Sequence, residues 1–279
     1  MPTTTQDLAL QVRRGLGDWG AYLMKLASEA TAGATTITVT PTGTDYLRAG
    51  LFLNIDIEDL EIVEPVGSPI VVMRARRGTT DATHAALTQV FLSPRFTNQD
   101  IVTALNESLR VFGGLVPKVT VDSTITTVAS TEEYTLPTGC KHVYLVEMER
   151  STSDTFRPWR TWDVNYASGK LRLLGRLSAG RTIRLTYHAD WTALTWATSD
   201  VVVPDRFHGV LVDYAVGDLL LREATMKVAV VGQAKGDTAT LRESLIAAQT
   251  LKATAKDKLE AIRDVTSIIQ LRDKRSQRL

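Results

Sequence analysis

Cysteine is nearly absent. The 279 residues contain one, Cys140, so no disulfide can form within the chain, which is compatible with folding in a reducing cytosol. With no His or Asn pattern around it, Cys140 reads as a small residue near a strand start rather than a reactive thiol. An excess of either charge is also missing: 32 Lys and Arg stand against 31 Asp and Glu, a formal net charge of +1. No global field therefore draws the chain to nucleic acid or to an anionic membrane, and any charge-driven partner must be met locally. No apolar run is long enough to span a bilayer. Met1 to Asp7 is polar, and Arg13 and Arg14 interrupt the apolar positions behind it. The sequence thus predicts no signal peptide and a soluble chain that is not secreted by a standard route.

Reaction chemistry is missing as well. There is no GxGxxG before a helix, no GxxxxGK[ST], no GxSxG, no HExxH and no CxxC. The four histidines, His84, His142, His188 and His208, are scattered without metal-ligand spacing. The acidic run Asp56, Glu58, Asp59 and Glu61 lacks the alternation and glycine of a calcium loop and reads as a solvated strand edge. A hydrolase built on His84 or His188 has no nucleophile, base and orienting group at interpretable spacing. The expectation is a protein that is not an enzyme and uses no cofactor and no metal. Trp159, Trp162, Trp191 and Trp196, near Arg157, Arg160 and Arg181, suit burial or a protein interface better than stacking on sugars or bases.

What is present is patterned. Thr97 as a cap with Asp100 three positions on, then Ile101, Leu105, Leu109 and Phe112 at helical spacing, predicts a helix closed by Gly113, Gly114 and Pro117. Thr4 with Asp7, followed by Leu8, Val12 and Leu16, predicts a short N-terminal helix. From Tyr22 to Ala30 a strand is favoured over a helix. Thr35 to Thr40, Leu51 to Ile57, Glu61 to Val66, Pro69 to Met73 and Thr88 to Leu92 read as short strands of a small antiparallel barrel or sandwich, with a loop from Gly78 to His84. A second set follows at Ile125 to Val128, Tyr134 to Leu136, His142 to Glu149, Lys170 to Leu174 and Thr182 to His188. There Lys170, Arg172, Arg181 and Arg184 alternate with apolar neighbours to give one wet, basic face. Pro204 then opens a helix facing Val210, Leu211, Tyr214, Ala215 and Leu219 inward. Gly232 and Gly236 break it, and a last helix carries Leu241, Leu245, Ala248, Ala255, Leu259 and Ile262.

The run Arg95-Phe96-Thr97-Asn98-Gln99-Asp100-Ile101 with Ala104-Leu105-Asn106-Glu107, Phe112 and Pro117 resembles the opening helix of tailed-bacteriophage head-to-tail connector (adaptor) proteins. Pro204 to Leu221 and Thr238 to Arg263 are similar to that family's later helices. Arg76-Arg77-Gly78-Thr79-Thr80 with Ala82 and His84, ahead of Thr88 to Leu92, resembles a β-module signature of phage virion proteins.

The apolar stripe of the helix near 97–113 must be covered, and the long helical partners lie far downstream, so the expectation is an α+β fold with a helical bundle core in which that helix packs on a C-terminal helical hairpin through Ile101, Leu105, Leu109, Phe112, Leu211, Tyr214, Leu245 and Leu259. Two antiparallel β modules are inserted. The expected segments are an N-terminal helix (1–20), a β barrel or sandwich (21–95), the first core helix (96–119), a second β region (120–203), the hairpin (204–265) and a basic tail (266–279). The family's role implies a structural virion protein in the neck, assembled in the host cytoplasm. It would form a ring, usually of twelve copies, beneath the portal, join capsid to tail and line the DNA exit channel. Its partners would be itself, the portal, tail or neck proteins, and DNA that passes without specific binding, with no membrane. The tail residues Ile268, Ile269, Leu271, Arg272, Lys274, Arg275 and Arg278 would dock on the portal. The alternative is a tail or baseplate module that recognises host carbohydrate through its tryptophans.

Overall fold

A computed structural model describes residues 3–17, 23–40, 46–65, 69–150, 155–175, 177–196, 201–231, 242–258 and 260–261. The chain divides into two compact units. The first joins 1–109 with 193–264, and the described part of the second is 110–192.

The first unit is built on a seven-stranded antiparallel sheet: β1 (Leu23–Leu26), β2 (Thr36–Ile37), β3 (Val39–Thr40), β4 (Phe52–Ile55), β5 (Glu58–Glu64), β6 (Ile70–Arg76) and β7 (Gln89–Leu92). Its order is β2-β6-β5-β4-β7-β1-β3. The two edges, β2 and β3, are successive pieces of one extended segment that meet at Thr38, whose carbonyl accepts the Ala27 N–H at 2.8 Å. The sheet therefore almost closes on itself, which leaves little free edge. Alternate positions fill the inside: Met24, Leu26, Ile37, Val39, Leu53, Ile55, Leu60, Ile62, Ile70, Val72, Val90 and Leu92 form one buried cluster. The period-2 alternation of the sequence is what aims these side chains inward.

Three of the four helices described belong wholly to this unit. Helix α1 (Thr5–Gly15) opens with a capping box between Thr4 and Asp7 and packs against α3 (His208–Val231). They approach so closely that a Cβ on Gly15 would lie 2.8 Å from Val216 Cγ2. Helix α2 (Asn98–Leu115) also begins at a capping box: Asp100 accepts from the Thr97 N–H (2.9 Å) and hydroxyl (2.7 Å), and Thr97 Oγ1 accepts from the Asp100 N–H (3.1 Å). Its residues to 109 lie in the first unit and the rest in the second. A fourth helix, α4 (242–258), runs antiparallel to α3, as Lys258 meets Asp213 at 2.8 Å and Lys252 meets Asp218 at 2.6 Å.

The second unit holds two sheets. β8 (Lys118–Thr126), β10 (Cys140–Glu149), β11 (Phe156–Pro158) and β14 (Thr182–Ala189) are ordered β11-β10-β14-β8, while β9 (Glu133–Thr135), β12 (Trp162–Asn165) and β13 (Lys170–Leu173) are ordered β12-β13-β9. Between them Tyr134, Val143, Val146, Met148, Leu171, Leu173, Ile183, Leu185 and Tyr187 make one core.

The helical-bundle core expected from the sequence does not form. Fourteen strands in three sheets carry the described fold, and the barrel and the second core hold much of the buried apolar surface. Long helices announce themselves through one continuous 3.6-residue pattern. Strands of two to four residues carry a weak signal each and gain their stability only once paired across the chain. The single basic face also fails to appear. Lys170 and Arg172 stand on β13 and Arg184 on β14, in different sheets, and Glu132 and Glu147 neutralise Arg172 (3.1 Å) and Arg184 (2.7 Å).

Candidate functional site

The inward positions of β5 and β6 stay apolar until one end of the barrel, where Glu58 and Arg74 take the next places in the alternation. Glu58 is fully buried and the Arg74 side chain is 6% exposed. Arg74 donates Nε to Glu58 Oε1 (3.0 Å) and Nη2 to Oε2 (2.6 Å), a bidentate pair. It also donates to the carbonyls of Thr31 (2.7 Å) and Ala82. An extra residue in β6 places Ala75 at φ 52°, and its N–H donates to Glu58 Oε1 at 3.1 Å. His84 lies between two carboxylates, with Nδ1 2.8 Å from Asp56 Oδ2 and Nε2 2.8 Å from Glu58 Oε2. Asp81 closes the group, 3.0 Å from Arg74 and accepting the Gly33 N–H at 2.8 Å.

The ionisation of these groups follows from those contacts. Burial alone would push Glu58 up, but the Arg74 guanidinium, His84 and the N–H groups of Ala75 and Ala82 hold it down to about 2. Burial would likewise lower His84, and the flanking Asp56 and Glu58 raise it instead, which favours an imidazolium with both nitrogens donating. Within the acidic run, Glu58 and the half-buried Asp56 are therefore paired in a lock, Asp59 is buried beside them and Glu61 stays partly exposed on Arg76, so the run is not the solvated edge expected from its composition. The decisive partners, Arg74 and His84, are 16 and 26 residues away, too far for local charge pattern to show.

The lock is tied to the helices by amides. Asp56, at φ 51° in the β4–β5 turn, accepts the Trp196 indole N–H at 2.8 Å, and its carbonyl accepts Asn98 Nδ2 at 2.6 Å. Asn98 Oδ1 accepts Arg13 Nη2 at 2.5 Å, and Arg13 Nη1 donates to the Phe96 carbonyl at 3.1 Å with its guanidinium 4.1 Å from the centre of the Phe91 ring. A cleft of about 330 Å³ opens over this junction, lined by Gln6, Leu10, Arg13, Asp56, Leu87 and Trp196 among others. Leu87 is 70% exposed at its rim.

The motif Arg76-Arg77-Gly78-Thr79-Thr80 wraps the same end. Arg76 pairs with Glu61 at 2.8 Å, the Arg77 guanidinium sits 3.7 Å over the Phe52 ring, and Thr79 Oγ1 accepts the Asp59 N–H at 3.1 Å. Gly78, at φ 77°, permits the turn.

Of the helix residues singled out in the sequence, Ile101, Leu105, Leu109, Phe112, Leu211 and Tyr214 are buried and Leu245 is half-buried, while Leu259 and the tail from Ile268 to Arg278 lie outside the described residues. Helix α2 continues through Gly113 and Gly114 to Leu115. A Cβ at Gly113 would come 3.2 Å from Trp191, so this glycine serves packing rather than termination. The four tryptophans do not share one platform. Trp196 is committed to Asp56, Trp191 donates to the Val116 carbonyl (2.8 Å) against Phe112, Trp159 donates to the Thr161 carbonyl (3.0 Å), and Trp162 packs on the second core. The first seven residues of β8 carried no strand expectation. It is a nine-residue sheet edge with Val119 and Val121 48% and 57% exposed.

Among the described residues no group of three or more His, Cys, Asp or Glu is arranged to hold a metal ion, and no helix is long and apolar enough to cross a membrane. Both ring nitrogens of His84 are engaged by carboxylates. What the described surface offers is clefts and edges suited to other proteins.

No curated protein matches the chain. The family model of the SU10 adaptor protein matches residues 71–267, from the start of β6 through α2, the second unit and both later helices. That is well over half of the sequence and includes both the Thr97 capping box and the α3–α4 hairpin. The chain belongs to the SU10 adaptor protein family, and is thus a structural adaptor of a bacteriophage virion that works by binding other capsid or tail proteins.

Proposed function

We propose that this adaptor is a head-to-tail connector subunit: about a dozen copies close into a ring beneath the portal, join capsid to tail and line the channel through which DNA leaves. The observation that carries the reading is the family match spanning α2, the second unit and α3. A ring subunit needs two different surfaces that complement each other, so that a heterologous contact closes after a fixed rotation. The chain offers dissimilar ones, among them the exposed edge strand β8 and the charged, cleft-bearing barrel end. Its near-zero net charge suits close packing of like subunits. It also suits a channel wall, because every phosphate contact adds a salt-dependent grip that would slow DNA passage. The C-terminal residues Ile268, Ile269, Leu271, Arg272, Lys274, Arg275 and Arg278 dock on the portal in this reading.

The test is electron microscopy and particle mass of the purified protein with and without portal rings. The expected result is a closed ring on the portal. Removing 272–279 is expected to abolish attachment while leaving the thermal unfolding unchanged; a truncated chain that still attaches sinks the docking role. Protein that stays monomeric on portal rings sinks the ring.

A further inference from the structure

A second cleft of the first unit, about 770 Å³ in volume, lies between the β4–β5 turn, the loop 77–80 and the first turn of α2. Its lining includes Ile57, Asp59, Arg77, Thr80, Gln99 and Met226. Asp59 is the residue that needs explaining. Its side chain is 2% exposed, and Asn54 Nδ2 donates to Oδ1 at 2.8 Å, yet Oδ2 accepts no hydrogen bond. The nearest cation, the half-exposed Arg77 guanidinium, stands 3.9 Å away and is stacked on Phe52. A carboxylate taken out of water with one oxygen unbonded is a costly group. Burial accordingly raises its pKa, against the opposing effects of Asn54 and Arg77. Around this anionic floor stand two exposed apolar side chains, Ile57 (42%) and Met226 (69%). An aliphatic rim above a carboxylate matches a side chain with a methylene stem and a cationic head.

We propose that the Asp59 cleft receives a lysine or arginine side chain from a neighbouring copy of this chain. The inference rests on the ring reading for the source of that side chain, and on the cleft for its chemistry. Charge complementarity favours a second copy: basic and acidic residues are almost equal in number, and Arg48, Arg157 and Arg160 are exposed without an ion pair among the described residues. The incoming head group gives Oδ2 its missing donor while the rim covers the stem, so the contact removes a desolvated, unpaired group instead of creating one.

The experiment compares the full-length wild type with Asp59→Asn and Arg77→Gln, reading self-association by sedimentation and stability by thermal unfolding. Asp59→Asn is expected to weaken self-association about thirtyfold or more without lowering the melting temperature, since it neutralises a buried charge whose Oδ2 accepts no hydrogen bond. Arg77→Gln, which removes the competing cation, is expected to strengthen it. In a second arm, n-butylguanidinium is titrated into the monomer while the Asp59 carboxyl carbon is followed by NMR. A saturable shift that Asp59→Asn abolishes is expected, and a flat titration overturns the proposed chemistry. Unchanged association with a lowered melting temperature in Asp59→Asn overturns the proposal, because Asp59 then serves within one subunit. A ring that forms undiminished with Asp59→Asn removes this inference alone. A wild type that never self-associates, alone or on portal rings, removes the ring reading and with it the neighbouring copy as donor.

Discussion

The side-chain oxygen of Asn54 accepts the backbone N–H of Asn98 at 3.0 Å, joining β4 to the first residue of α2 across 44 positions of sequence. The N–H groups of a helix's first turn have no partner within the helix, and here a strand of the barrel supplies one. Every polar atom of the two side chains is used. Asn54 Nδ2 donates to Asp59 Oδ1 and, at 3.3 Å, to the Glu58 carbonyl, while Asn98 holds Arg13 and the Asp56 carbonyl. The barrel, α1 and α2 are thereby fixed to one another within the first unit.

Replacing Asn98 with Ala removes the acceptor of Arg13 Nη2 and the donor to the Asp56 carbonyl in a buried setting. Destabilisation of about 2–4 kcal/mol is expected, read as a lowered urea midpoint with an unchanged slope. A loss under about 0.5 kcal/mol would show that the amide junction relaxes onto other partners.

Glu58→Gln keeps the shape of the side chain and removes the charge that Arg74 and His84 face. Since breaking one member of a buried ion pair leaves the other uncompensated, a cost of about 3–5 kcal/mol is expected. Glu61→Gln, on the partly exposed pair with Arg76, serves as the control and should cost less than about 1 kcal/mol. Equal losses in the two variants would refute the special position of the barrel-end pair.

Stability should peak in mildly acidic solution. Glu58 is held at about 2 against an ordinary 4.5, so its contribution is present above about 4.5 and is lost as pH falls toward 2. His84 is raised above its ordinary 6.5, so its contribution is present below about 6.5 and is lost as pH rises through the higher folded value. Asp59, raised from 3.8, acts in the opposite sense to Glu58 and softens the acid limb. Thermal unfolding against pH should show both limbs, and His84→Gln should flatten the alkaline one, which begins above about pH 6.5. A variant whose alkaline limb matches the wild type would assign that limb to other groups.

The α3–α4 crossing depends on Gly217. A Cβ there would lie 3.0 Å from the Lys252 backbone nitrogen and 3.1 Å from its Cα, so the helices must part to admit a methyl group. Gly217→Ala is expected to cost about 1–3 kcal/mol and to weaken the Lys252–Asp218 pair, with faster amide exchange in α4 than in the barrel. Gly209→Ala, on the same helix with open space around it, should be neutral or slightly stabilising. If both alanines behave alike, close approach is not what Gly217 provides.

The sequence made some elements plain and concealed others for physical reasons. Both capping boxes, at Thr4 and Thr97, could be read because a cap and its partner lie three residues apart. The strand at Leu23–Leu26 and those of the β4 to β7 region could be read from alternation. Strands β11 and β12, of three and four residues, are too short to carry a pattern of their own, and of β8 only the end at Ile125 and Thr126 was expected. The acidic run was misread because a carboxylate's solvation is decided by what folds over it. A weak signal was present: Arg74 and Glu58 fall on the inward phase of their strands, where only apolar residues belong unless they pair.

Local pattern, then, determined the helices, their caps, the alternating strands and the family likeness, since each of these depends on residues within a few positions of one another. Which strands close into a barrel, that sheets rather than a helical bundle form the core, and that Asp56, Glu58, Arg74 and His84 make one buried lock were decided by tertiary structure. The lock comes from pairings 16 to 28 residues apart, the barrel from strand pairings that reach from Leu23 to Phe91, and both from the exclusion of water that follows; desolvation is a property of the folded surroundings that no short stretch of sequence contains.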